Sequence, residues 1–269
     1  MKTHDSHSLV NELAEAVAGS KPVALATVIA TKRSVPRRAG AKMLIYGDGA
    51  LSGTVGGGTM ESRVIEAAQE SMRSGNTQML TYSLLEPSRG DPGVCGGEVQ
   101  IYLEPYMPPH TIFVVGAGHV GRAVVDLAHW LGYRTVITDD REDMLSEDHL
   151  PDADVLLRGS MVEALAKEKV TENTSVILVS RSTDIDADSI PLLLETPAAY
   201  IGVMGSRRRW MAVRDELIAN GINEMELERI HQPIGIELGA ETLEEIAVSI
   251  LAQVIQVNRA TTSGEDHQA

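Results

Sequence analysis

The chain has one cysteine, Cys95, in 269 residues. That excludes an intramolecular disulfide and any zinc site made of cysteines alone. Aromatic residues are equally scarce, at 3%, so the core has to be aliphatic, which suits a parallel sheet rich in Val, Ile and Leu. Positive charge is in deficit: 23 Lys and Arg face 38 Asp and Glu, a net charge of −15. A field of that sign repels nucleic-acid backbones and anionic membranes, so neither is expected as a partner. No apolar run approaches the roughly 20 residues that span a bilayer, and no basic stretch leads into an apolar one at the N-terminus. A reducing, cytoplasmic setting is the consistent expectation.

What is present is the composition of a soluble globular protein, 43% apolar and 23% charged, long enough for one large domain or two ordinary ones. A short amphipathic helix is expected over 8–18, followed by a buried strand over 22–30. A polar loop over 31–40 carries Arg33, Arg37 and Arg38 around Pro36. Two strands over 41–46 and 50–53 flank Gly47-Asp48-Gly49, a hairpin signal. Gly56-Gly57-Gly58 leads into a helix over 59–73, and strands over 77–83 and 100–104 enclose a loop with Pro87, Pro92 and Gly93. Pro105, Pro108 and Pro109 then stiffen a segment that cannot be helical.

Beyond these prolines the pattern changes to alternating strands and helices. Strands are expected at 112–115, 134–138, 155–157, 176–179 and 200–203, with helices between them and a closing helix over 241–257. Thr242 and Glu245 fit a capping box at its start. The organisation read from this is α/β. Residues 1–104 form a smaller domain with a mixed sheet, 105–110 a linker, and 111–260 a Rossmann-type, doubly wound parallel sheet; 261–269 is a disordered tail.

The second domain opens on Gly116-Ala117-Gly118-His119-Val120-Gly121. In such a turn the first glycine permits the bend, the second lets backbone approach a pyrophosphate, and the third allows close helix-strand packing. Here the turn follows an apolar strand, opens a helix, and is succeeded by a strand ending in Asp139, 23 residues after Gly116. That context fits dinucleotide binding, with Asp139 accepting ribose hydroxyls and Arg141 beside it weakening discrimination against a 2′-phosphate. A Rossmann domain that no longer binds nucleotide stays open.

Four further constellations carry chemistry. Gly56-Gly57-Gly58-Thr59 before a helix can form an anion cradle, with Glu61 as a local cap or a group aimed into the site; a tight packing turn is the alternative. Cys95 sits beside Gly96 and Gly97, which leave its sulfur approachable as nucleophile, persulfide carrier or soft-metal ligand. An inert loop residue is the plainer reading. Gly205-Ser206-Arg207-Arg208-Arg209 opens a helix with cations that oppose its dipole, a cost that a bound phosphate or carboxylate removes, unless the run is simply a solvated patch. His231 lies in a tight loop, as a hydrogen-bonding residue more than a ligand.

Together the segments GTVGGGTMES, GVCGGEVQIYLEP, VVGAGHVGRAVVDLAHWLGY, YIGVMGSRRR and PIGIELGAETLEEIAVSILAQ resemble the xanthine dehydrogenase accessory factor family, XdhC/CoxI. The resemblance covers nearly the whole chain and implies a molybdenum cofactor chaperone, more an accessory protein than a stand-alone enzyme. Such a protein binds the molybdopterin cofactor or its dinucleotide form, protects it, assists its sulfuration and delivers it to a molybdenum hydroxylase apo-enzyme. A cysteine desulfurase-type sulfur donor and a homodimer also follow from it.

On that resemblance Cys95 and Glu61 are the chemically active residues, with Cys95 a contact for molybdenum. The cofactor-holding residues are Gly56, Gly57, Gly58, Thr59, Gly96, Gly97, Gly116, Gly118, His119, Val120, Gly121, Asp139, Asp140, Arg141, Gly205, Ser206 and Arg207. Family members often carry a second cysteine after the glycine triplet, where this chain has Thr59, which puts any two-thiol mechanism in doubt. An oxidoreductase using NAD or NADP is the rival; it accounts for the Rossmann turn but leaves Cys95 and the triplet unexplained.

Overall fold

The computed structural model describes residues 6–84 and 96–263 and divides into two compact units, Met1–Pro108 and Pro109–Ala269. In the first unit, helix α1 (Ser6–Ala18) precedes strands β1 (Val23–Lys32), β2 (Lys42–Tyr46) and β3 (Leu51–Gly53). Helix α2 (Gly58–Ser74) follows, then β4 (Gln78–Ser83) and β5 (Glu98–Tyr106). The sheet order is β3-β2-β1-β5-β4. All four pairings are antiparallel, so this sheet is not mixed.

Alternation along the central strand explains the layering. Val23 and Leu25 pack with Leu9 and Ala16 of α1, while Ala24, Ala26 and Val28 pack with Met60, Val64, Ala68 and Met72 around α2. Successive side chains leave a strand on opposite faces, so β1 serves both helices. Pro105 lies inside β5 rather than in a linker. Its neighbour β4 pairs with β5 only between Glu98 and Leu103, so beyond Leu103 one side of β5 is an edge that tolerates a residue without an N–H.

The second unit contains β6 (Thr111–Val115), α3 (His119–Trp130), β7 (Arg134–Asp139), β8 (Val155–Arg158) and α4 (Met161–Lys167). It continues through β9 (Thr174–Leu178), α5 (Thr183–Leu194), β10 (Tyr200–Val203), α6 (Arg207–Ala219), β11 (Ile230–His231) and α7 (Leu243–Ser263). The parallel sheet runs β11-β10-β9-β6-β7-β8, the order of a dinucleotide-binding Rossmann fold. Ile112, Val114, Ile137 and Ile177 meet α3 and α7 on one face. Phe113, Val115, Val136 and Val176 meet α4, α5 and α6 on the other.

His231 is not a loop residue: it lies in the sixth strand, stacked on Tyr200 with ring centroids 4.6 Å apart. The tail begins later than residue 261, because α7 continues through Ser263. At the other end of α7 the capping box forms: Thr242 Oγ1 accepts from the Glu245 N–H at 3.2 Å, and Glu245 Oε2 accepts from the Thr242 N–H at 3.0 Å.

Candidate functional site

Strands β6 and β9 are neighbours whose chains turn to opposite faces of the sheet, α3 to one and α5 to the other. A crevice opens outside the carboxyl ends of strands at such a switch point. Gly116 leaves β6 at φ 115°, and a Cβ there would lie 2.8 Å from the Val179 carbonyl oxygen. A Cβ at Gly121 would lie 1.9 Å from the Gly116 carbonyl oxygen. These two glycines let backbone pass backbone.

Gly118 differs: nothing lies within 4 Å of its virtual Cβ, and it is the N-cap of α3 with no side-chain capping bond. The N–H groups of the first turn therefore have no side-chain acceptor and, with the helix dipole, suit an anion. His119 is exposed at the start of α3, whereas Val120 is partly buried against the α3–α7 cluster.

Asp139 does not offer itself to a ribose, contrary to expectation. Oδ1 accepts from the backbone N–H and Nε of Arg141 at 3.0 and 2.9 Å, and Oδ2 from the Ala117 N–H and Arg141 Nη2 at 2.7 and 2.8 Å. Those four donors fill the acceptor capacity of a carboxylate. Burial raises the pKa of Asp139, but the Arg141 guanidinium and the two amides outweigh it and hold the carboxyl well below its ordinary value. Asp139 and Arg141 thus brace the glycine turn. Asp140, next along the chain, is half exposed and forms a two-pronged pair with Arg181 at 2.6 and 2.9 Å, which lowers its pKa.

Beside these groups is a cavity of about 480 Å³, lined by Gly116, Thr138, Asp140, Arg181, Met161 and Leu192 among others. A second, of about 400 Å³, lies where β10 ends, between Met204-Gly205-Ser206 and the segment Pro233–Leu238. Gln253 of α7 pins that segment, its Oε1 accepting from the Gly235 N–H at 2.8 Å and the Tyr200 hydroxyl at 2.6 Å.

The arginine run divides by role. Ser206 caps α6 by accepting from the Arg209 N–H at 3.2 Å. Arg209 turns inward: Nη2 reaches Asp186 Oδ2 at 2.6 Å, Ser180 Oγ at 2.9 Å and the Ser182 carbonyl at 3.0 Å. Asp186 is almost wholly buried, and burial raises its pKa against the pull of Ser180 and Arg209. Arg207 and Arg208 remain exposed.

In the first unit, Gly56, Gly57 and Gly58 have φ of 155°, 92° and 65°, a run only glycine adopts readily. Gly57 is the N-cap of α2 and has no side-chain capping bond. Glu61 reaches back from the first turn: Oε1 accepts from the N–H groups of Val55 and Gly56 at 3.1 and 3.2 Å, and from the Thr54 hydroxyl. It therefore fixes the turn as a local cap. Thr59 is exposed.

A Cβ on Gly56 would lie 3.5 Å from Pro36 Cβ, and one on Gly97 2.2 Å from the Ser34 carbonyl oxygen. The 34–36 loop thus lies against both glycine clusters, a convergence that sequence spacing does not signal. Gly96, at φ 81°, borders open space. Cys95 lies outside the described residues.

The chain matches two descriptions, the XdhC Rossmann domain over residues 112–254 and the XdhC and CoxI family over residues 16–83. It belongs to the XdhC and CoxI family. It is 30% identical over 90% of its length to YqeB, an uncharacterized protein of Escherichia coli strain K12, of which it spans only 45%. It is 24% identical over 95% of its length to the molybdenum cofactor insertion chaperone PaoD of that organism, spanning 89% of it. A crystal structure of a xanthine dehydrogenase from Bacillus halodurans matches 96% of the chain and is matched over 97% of its own. At a TM-score of 0.52 and 23% identity it supports the fold alone.

Both cavities of this XdhC/CoxI chain fall inside the Rossmann match. Arg181, Thr138 and Asp186, which shape the crevice, were not singled out by sequence. Only the position of Arg181 and Thr138 at the ends of β9 and β7 could have flagged them. Among the described residues no helix is long and apolar enough to cross a membrane.

Proposed function

We propose that this XdhC/CoxI chain is a maturation factor that binds the molybdenum cofactor as cargo. It protects the cofactor, assists its sulfuration and delivers it to a xanthine dehydrogenase-type molybdenum hydroxylase. The observation that carries the reading is the crevice outside β6 and β9, where Gly116, two residues before the uncapped N-cap of α3, lines the 480 Å³ cavity. Backbone N–H groups at a helix start take a phosphate, and a cavity of that size takes an organic body attached to it. Among the described residues no cluster of His, Cys, Asp or Glu could hold a bare metal ion, so the grip they offer is on the organic part of the cargo.

The name of the relative PaoD supports the choice of cargo. Gly116, Gly118, His119 and Val120 would hold phosphate. Gly205, Ser206 and Arg207 would take a second anionic portion. Within the first unit, the amides of Gly56 to Thr59, which Glu61 fixes, would form an anion site of their own. Cys95, the sole thiol, would contact molybdenum or carry sulfur, with Gly96 and Gly97 leaving it approachable. A cysteine desulfurase-type donor would supply that sulfur.

The test is retention of cofactor by the full chain purified from cells that make it. The variant Cys95→Ser combined with Arg207→Ala should retain far less than wild type. Equal retention removes this site, and hydride transfer to NAD or NADP by the purified chain would mark an oxidoreductase instead.

A further inference from the structure

The cavity at the end of β10 has an aliphatic lining and a single charge. Met204, Pro233, Ile234, Ile236, Leu238 and Ile246 line it, and Glu237 is the one charged side chain among its lining residues. No Lys or Arg lines it, so the cavity itself gives no grip to an anion. Leu238 is 53% exposed, a large apolar side chain turned partly to water.

The protein's own bonds fix this shape. The Gly235 N–H donates to Gln253 Oε1 at 2.8 Å. Ile236 is held twice by α7: its N–H donates to the Ser249 carbonyl at 3.2 Å, and its carbonyl accepts from Ser249 Oγ at 2.6 Å. A Cβ on Gly235 would lie 2.3 Å from Ser249 Oγ, so the segment sits tight against that helix. Gln232 Nε2 donates to the Gly205 carbonyl at 3.0 Å and joins the two walls. A braced, mostly apolar pocket of about 400 Å³ with few polar groups has the character of a binding site.

Its chemistry narrows the occupant. An anion meets no cation there, and a wholly apolar molecule would leave the acid without a partner. Glu237 Oε1 accepts from the Gly239 N–H at 3.1 Å, and its other oxygen is available to an incoming donor. An aliphatic side chain next to a Lys or Arg uses both the apolar lining and the acid. The net charge of −15 steers such a basic segment toward the chain.

Position indicates which protein brings it. Gly205 and Ser206 line this cavity and also belong to the loop that would take an anionic portion of the cargo. A protein that receives the cargo has to reach that loop. We propose that this cavity is the docking pocket for the acceptor: it takes an aliphatic side chain of the molybdenum hydroxylase, with a neighbouring Lys or Arg on Glu237. The inference rests on the proposed function and adds where the acceptor engages the chain and what it presents.

Binding of the full chain to a cofactor-free xanthine dehydrogenase-type hydroxylase from the same organism, followed by biolayer interferometry, tests it. Leu238→Glu changes a half-exposed side chain and should retain cofactor as wild type does. It should nevertheless bind the hydroxylase about tenfold or more weakly. Glu237→Lys should slow association at 50 mM salt, and by less at 500 mM. Two variants that bind the hydroxylase like wild type overturn the inference, even if the chain retains cofactor. So does a loss confined to binding of a sulfur donor, or to the oligomeric state of the free chain. A wild type that retains no cofactor but binds the hydroxylase through Leu238 overturns the proposed cargo and leaves the docking pocket standing.

Discussion

At the residue scale, the glycines of one turn make opposite demands. Gly121→Ala drives a methyl into the Gly116 carbonyl and should cost about 3 kcal/mol in urea unfolding, the upper end of overpacking losses. Gly118→Ala meets open space at φ −74° and should change stability by less than about 1 kcal/mol. Its methyl would nevertheless occupy the open space at the start of α3, so pyrophosphate binding should weaken. Equal effects of the two substitutions on stability would refute this division of labour. Two partly buried imidazoles contribute to the acid response. His110 shares Nε2 with Ser175 Oγ at 2.8 Å and with the amide of Asn258 at 3.1 Å, and burial lowers its pKa. Burial lowers that of His231 as well. Their folded values lie below the ordinary 6.5 or so, so the unfolded chain takes up protons first and stability declines as pH falls below about 6.5. Asp139 adds a later loss. Its folded pKa is depressed, so its contribution is complete above about pH 4 and disappears as pH falls further. Urea midpoints between pH 7 and 5 should fall for wild type and less for His110→Asn; equal falls would exclude His110 as a source.

At the element scale, Arg209 ties the start of α6 to the end of β9 and the first turn of α5. Arg209→Met would strand a carboxylate that is 1% exposed, at a cost of about 3–5 kcal/mol by denaturant unfolding. Asp186→Asn in the same chain should recover much of it. A double variant no more stable than Arg209→Met would disprove the pairing. This is also where legibility from sequence ends. The Gly116 turn was readable because turn, strand and helix are contiguous. Arg207, Arg208 and Arg209 look alike in a run, and only packing of α6 against α5 turns the third onto Asp186. Asp139 and Asp140 are likewise equal as letters, but the alternation of β7 turns the first inward against Ala117 and leaves the second outside. Strand β11, two residues long, is too short to show periodicity. Pro105 reads as a breaker until the register of β4 shows that β5 has a free edge there.

At the scale of the whole molecule, a Rossmann sheet in the order of dinucleotide-binding proteins follows an antiparallel sheet layered between two helices. The net charge of −15 makes local basic groups conspicuous. Arg207 and Arg208 at the mouth of α6 stand against the overall field, so anion binding there should weaken with salt over a Debye length of about 10 Å at 0.1 M. Raising salt from 50 to 500 mM should therefore lower pyrophosphate affinity in wild type and less in Arg207→Ala. A chain that carries the molybdenum cofactor as cargo should be purified with it. Metal and pterin analysis of the full chain, freshly purified from cells that synthesise the cofactor, tests it most directly. Molybdenum and pterin should be present in equal amounts, approaching one per chain, and should pass to a cofactor-free hydroxylase when the two are mixed. A chain that emerges with neither, from cells whose own molybdenum enzymes are loaded, would contradict it.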